Sequence, residues 1–113
     1  MAEPYLERLR ATLSECRPPK PRGVRLECRH FFNGAALYAN DKICASLTPA
    51  GFALKLPDDQ RLALLRDRRG HQLRYFPAAP VKKEYVVLSR KAASDLTLLR
   101  AFLAKSIRHA VTT

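Results

Sequence analysis

Apolar residues recur at helical spacing at both ends of the chain and alternate with polar residues in its middle. Near the start, Leu6, Leu9 and Leu13 fall on one face of a helix, which predicts a helix over residues 4–16. A proline at position 4 suits the first turn of that helix. The proline-rich residues 17–23 cannot continue it and predict a stiff, extended internal connector.

The middle of the chain has the alternation that is typical of antiparallel strands. Residues 24–28 alternate briefly, so they form either a short strand or an extended lead-in to the sheet. Asn40 and Asp41 tolerate positive φ and predict a tight turn, and a second turn signal covers residues 48–51. The segments around these turns predict a three-stranded antiparallel meander: 35–39, 42–47 and 52–56.

The second half of the chain predicts two helices and two further strands. Asp58 is suited to begin a helix that ends before Gly70, and strands are predicted at 71–76 and 84–88. A last amphipathic helix spans 94–110, with one apolar face: Leu96, Leu99, Phe102, Leu103, Ile107 and Ala110. The expected fold is α+β, an antiparallel sheet in the order α-β-β-β-α-β-β-α with helices packed on it.

Length and composition are those of one globular domain covering residues 1–113. Hydrophobic residues make up 47% and charged residues 27% of the chain. No apolar run approaches the roughly 18 residues that a membrane span needs. The first residues, 1–4, show no basic segment leading into an apolar stretch, so we expect no secretory signal and a cytoplasmic location.

The charge of the chain is strongly unbalanced, with 21 Lys and Arg against 10 Asp and Glu and a formal net charge of +11. Such a surface attracts a nucleic acid or an acidic protein, and the alternative is a solvated surface without a specific target. If the basic clusters converge, they can contact a phosphate backbone without reading its sequence. The candidate residues lie in three groups: Arg22, Arg25 and Arg29; Arg66, Arg68, Arg69 and Arg74; Lys82 and Lys83.

No motif of catalysis, phosphate binding or metal binding occurs in the sequence. Cys28 and His30 are the one close pair of metal-ligand type, and Cys44 or His71 would have to complete a zinc site. A buried Cys28 beside a solvated His30 is the favoured interpretation. The odd number of cysteines favours small buried side chains over disulfides. Because no such motif occurs, we expect no catalytic residues, cofactor, metal or small-molecule substrate.

Residues 29–38, Arg-His-Phe-Phe-Asn-Gly-Ala-Ala-Leu-Tyr, resemble the opening of a TfoX N-terminal domain, in which a basic residue and Met-Phe-Gly-Gly precede a short strand ending in Tyr. The hairpin at 40–42, the segment 51–56, and the strand 84–88 with its following helix continue the resemblance over about residues 5–110. The resemblance implies one antiparallel sheet with flanking helices, and no enzymatic activity.

The expected function is therefore a non-enzymatic binding or regulatory protein, similar to a stand-alone TfoX N-terminal domain of bacterial competence or transcription control. Its partner would be another protein or a second copy of the chain. The alternative is a sequence-independent nucleic-acid-binding protein that uses the three groups of basic residues. No membrane partner is expected.

Overall fold

Helices and strands account for most of residues 4–112, the part of the chain that the computed structural model describes. The helices are α1 (Tyr5–Cys16), α2 (Asp58–Arg66), α3 (Arg90–Ser94) and α4 (Leu96–Thr112). The strands are β1 (Leu26–Phe31), β2 (Gly34–Ala39), β3 (Lys42–Thr48), β4 (Gly51–Lys55), β5 (Gly70–Leu73) and β6 (Lys82–Leu88). The expectation about a secretory signal rests mainly on residues 1–3, which lie outside the described residues.

The strands form one antiparallel sheet in the order β1-β2-β3-β4-β6-β5, and the predicted α+β class is confirmed. Consecutive hairpins join β1 to β4, so the meander has four strands where three were predicted. The added strand is β1, whose Cys28 lies opposite Leu37 of β2. The second difference is α3, a short helix that precedes α4.

The predicted turn between β2 and β3 is confirmed. Asn40 and Asp41 have φ angles of 49° and 68°, the left-handed pair that a type I′ hairpin turn requires. The Asn40 side chain also accepts a hydrogen bond from the Arg25 backbone N–H at 2.8 Å. The turn is thereby tied to the residue that leads into β1.

Helices α1 and α4 cover one face of the sheet and enclose the main core, here called the helix face. Leu9 of α1, Leu37 and Leu54 of the sheet, and Leu103 and Ile107 of α4 are completely buried there. Removing such side chains from water is the main source of stability, roughly 1.5–3 kcal/mol for each.

The buried face of α4 differs from the prediction at its margins. Leu96 lies in the first turn and is 46% exposed, and Phe102 is only half-buried. At 100° per residue, Phe102 falls at the border of the buried face of α4. Ser106, one turn later, lies within that face and is buried. The Ser106 hydroxyl donates a 2.6 Å hydrogen bond to the Cys44 carbonyl oxygen, which satisfies a polar group in the core.

The opposite face of the sheet, here called the second face, is not covered by α1 or α4. Its buried residues include the small Ala36, Ser46 and Ala53 together with Leu73 and Val87. Aromatic side chains and the segment 74–81 cover these residues. Among residues 4–112, no helix is long and apolar enough to cross a membrane.

The packing predicts a graded response to substitution along α4. Leu103→Ala should reduce the free energy of unfolding by about 2–5 kcal/mol, because it empties a fully buried position. Phe102→Ala should reduce it by less, since that ring is half-exposed, and Arg108→Ala should change it by less than about 0.5 kcal/mol. Urea denaturation of the three variants measures these differences. A reduction at Arg108 equal to that at Leu103 would show that α4 packs through another face.

Candidate functional site

Three aromatic rings meet where the β1–β2 turn contacts the segment after β5. The ring centroids of Phe31 and Phe32 are 4.5 Å apart, and those of Phe32 and Tyr75 are 5.5 Å apart. Phe31 and Tyr75 make an edge contact at 5.8 Å. These separations are in the range of favourable aromatic pairs, each contributing about 0.5–1.5 kcal/mol beyond burial.

Phe32 has an unusual backbone and an unusual exposure. Its φ angle is 52°, in the left-handed region that bulky residues avoid, and its side chain is 79% exposed. Gly34, two positions later, cannot carry a side chain, because a Cβ there would lie 2.3 Å from the Leu47 carbonyl oxygen. The turn therefore holds a large apolar ring in water on a backbone that would suit Gly or Asn.

Phe32 forms one wall of a groove of about 430 Å³, here called the aromatic groove. The loop after β5 also lines it, and Phe76 in that loop is 61% exposed. Among the described residues, no acidic side chain lines the groove. The lining residues are Phe32, Asn33, Tyr75, Phe76, Ala79, Pro80 and Lys82.

Hydrogen bonds fix the loop wall of the groove. The Arg74 guanidinium donates to the Ala79 carbonyl oxygen at 2.7 Å, and the Ala79 N–H donates to the Phe76 carbonyl oxygen at 2.9 Å. On the other side of the loop, Arg61 of α2 donates to the Lys83 carbonyl oxygen. The loop and the start of β6 are thus held before any partner arrives.

The cations next to the aromatic groove carry no compensating charge. Lys82 lines the groove, Lys83 follows it, and Arg74 begins the loop; all three are exposed. Within residues 4–112, none of the three forms a salt bridge. Their positive charge is therefore available to an anionic partner.

The candidate cations near β1 are in a different state. Arg29 pairs with Glu27 at 2.8 Å and with Asp41 at 2.6 Å, and its guanidinium stacks on the Tyr38 ring at 4.5 Å. Arg25 lies 3.7 Å from the same Asp41 carboxylate. These two charges are largely balanced locally, while Arg22 in the connector is exposed and has no salt bridge within residues 4–112.

The third candidate cluster follows α2 and leads into β5. Arg66 pairs with Asp67 at 3.5 Å, and Arg68 and Arg69 are exposed. This cluster adjoins β5, whereas Arg25 and Arg29 adjoin β1 at the other edge of the sheet. Of the nine candidates, Lys82 lines the aromatic groove and Arg74 holds its loop wall, while Lys83 lies next along the chain and lines a separate cavity with Asp58.

The cysteines have the chemistry of core residues. Cys16 and Cys44 are buried, and Cys28 packs against the core while His30 is exposed, as predicted. Burial raises the pKa of all three thiols, and that of Cys44 reaches about 12. A protonated thiol is a poor nucleophile, so none of them is activated. Among residues 4–112, no group of three His, Cys, Asp or Glu side chains can hold a metal ion.

On the second face, the Ser46 hydroxyl is buried. Within residues 4–112 its oxygen has no hydrogen bond of normal geometry. The Tyr75 phenol lies close to it: burial raises the pKa of Tyr75, and Ser46 opposes part of that rise. Burial also raises the pKa of Tyr85 well above its usual range. Both phenols are therefore protonated near neutral pH and serve as packing groups.

Sequence reasoning did not identify Phe76, and Phe31 and Phe32 entered it through the resemblance of residues 29–38 to a TfoX N-terminal domain. Phe76 was predicted to end a strand at 71–76, but β5 ends at Leu73, so Phe76 lies in the following loop. The contact between Tyr75 and Phe32 had no local signal, since it joins positions far apart in the chain.

A larger cavity of about 710 Å³ lies between α1, the β3–β4 turn and α3. Its charged lining is mixed, with Arg8 and Arg90 against Glu15. The aromatic groove differs in combining exposed rings with charge of one sign. No family model, curated protein or solved structure matches this chain.

The buried thiol of Cys44 predicts a reduced stability in alkali. An unfolded thiol ionises near pH 8.5, whereas the folded one stays protonated to about pH 12. Stability from this group is complete below about pH 8.5 and falls above it, by at most about 1.4 kcal/mol per pH unit. Urea denaturation between pH 8 and pH 10 should show a shallower decline for Cys44→Ala than for the wild type. Equal slopes would mean that the folded thiol ionises freely.

Proposed function

We propose that this chain is a non-enzymatic binding protein and that its partner is held at the aromatic groove. The observation that carries the proposal is Phe32. The left-handed backbone of a bulky residue destabilises the fold by about 1–3 kcal/mol. Because the Phe32 ring is 79% exposed, its burial offsets little of this strain. A partner that covers the ring would offset it.

The regulatory part of the proposal rests on the resemblance of residues 29–38 to the opening of a TfoX N-terminal domain. Under that resemblance the chain is a cytoplasmic accessory factor of competence or transcription control in a bacterium. The groove adds a place for the contact, because the resembling residues include Phe32 and the turn that presents it.

The non-enzymatic part is supported by the state of the nucleophiles. The thiols and the buried phenols have raised pKa values and remain protonated at neutral pH. Asp58, at the start of α2, pairs with Arg61 and is explained by the helix start. These properties are those of groups that serve the fold.

Nucleic-acid binding through the basic residues is the second candidate function. It is favoured by three exposed cations: Lys82, which lines the groove, and Arg74 and Lys83, which lie next to lining residues in the chain. A surface built from all nine candidates is less favoured, because Arg25 and Arg29 already pair with acids. Any nucleic acid would then be bound at the groove.

Affinity capture from a bacterial lysate, with the tagged chain as bait and with or without nuclease, tests the proposed function. The wild type should retain a component that the double variant Phe32→Ala/Phe76→Ala does not, since that variant removes both exposed rings. The matched control is Leu62→Ala/Leu96→Ala, which removes two exposed apolar side chains elsewhere. Identical retention by all three baits would contradict the proposal.

A further inference from the structure

We propose that the aromatic groove binds unpaired bases of a single-stranded nucleic acid. Phe32 and Phe76 stack on bases, and Lys82 and Lys83 contact the phosphates. This inference rests on the proposed function, because it assigns a class of partner to the same groove. Every base has a flat π face, so such a site tolerates many sequences.

The geometry of the rings suits stacking. Phe31 and Tyr75 contact Phe32 from within the protein, and the rest of the Phe32 ring is open to solvent. Phe76, which also lines the groove, is 61% exposed. The groove volume of about 430 Å³ is within the range of small-ligand sites, about 300–1,000 Å³.

The rings are also held in place, which lowers the ordering cost of binding. Phe32 is restrained by its two aromatic neighbours, and Phe76 lies in the loop closed by the hydrogen bond from Arg74 to Ala79. The start of β6 is anchored by Arg61, whose guanidinium donates to the Lys83 carbonyl oxygen. The two lysine ammonium groups therefore extend from a fixed stretch of backbone.

Charge complementarity selects a nucleic acid over an apolar peptide. Within residues 4–112, the groove has no acidic lining residue, and Lys82 and Lys83 form no salt bridge. The whole chain has a formal net charge of +11, which concentrates polyanions near it. An apolar peptide would use the rings but would leave these cations without an anionic partner.

Stacking on exposed rings further selects a single strand over a duplex. In a duplex the base faces are stacked on one another, so Phe32 and Phe76 can reach them only by opening the helix. Unpaired bases present their faces without that cost. We therefore expect a preference for single strands together with little discrimination among sequences.

Fluorescence anisotropy with a short labelled oligothymidine, alone and annealed to its complement, tests the inference. The wild type should bind the single strand more tightly than the duplex. Phe32→Leu and Phe76→Leu keep an apolar side chain but remove the ring, so each should weaken single-strand binding about 5- to 100-fold. The matched control Leu62→Ala should bind like the wild type, because Leu62 is 61% exposed on α2, outside the groove.

The salt dependence tests the lysines. For single strands the slope of log affinity against log salt is about −0.7 per neutralised phosphate. Lys82→Gln/Lys83→Gln should make the slope shallower by about 0.7 for each phosphate that the variant no longer neutralises. Lys91→Gln removes an exposed lysine on α3 and should leave the slope unchanged.

Equal affinity for the single strand and the duplex, or full affinity in both Phe→Leu variants, would overturn the inference. Circular dichroism verifies that the variants fold, and if Phe32→Leu does not, Phe76→Leu alone decides. A protein that is retained from nuclease-treated lysate by the wild type, but not by the variant without the two rings, would overturn this inference and leave the proposed function standing. If neither oligothymidine nor any lysate component depends on the rings, both are overturned.

Discussion

The contact between Tyr75 and the two phenylalanines of the β1–β2 turn is the interaction on which the candidate site depends. A six-stranded sheet has two faces to cover, and α1 and α4 cover only the helix face. On the second face, small residues such as Ser46 leave room above the strands. Tyr75, two residues after the end of β5, packs onto this face, and its ring contacts Phe31 and Phe32.

The position of Tyr75 also determines where the exposed aromatic rings lie. The same segment that brings Tyr75 onto the second face also carries Phe76 outward and returns to the sheet at Lys82. Phe32 stands against Tyr75 on the other side, so both walls of the groove depend on one aromatic cluster. The same segment of the chain therefore positions the exposed ring of Phe76 and the lysine at position 82, which has no salt bridge among the described residues.

Much of the fold could be predicted from local pattern, and the groove could not. Asn40 and Asp41 indicated their turn because both tolerate positive φ, and the spacing of Leu99, Leu103 and Ile107 indicated α4. Strand β1 was uncertain because its alternation is short and its stability comes from pairing with β2. The groove arises from the approach of Tyr75 to Phe32, which periodicity does not encode.

The most direct test of the account is Phe32→Gly, measured for both stability and binding. Glycine adopts the 52° φ angle without strain, so relief of the backbone should offset the removal of the ring. The account predicts a urea unfolding free energy within about 1 kcal/mol of the wild type, together with at least a roughly fivefold weaker affinity for oligothymidine. Unchanged affinity in a folded Phe32→Gly protein would contradict the claim that this strained turn presents its ring to a partner.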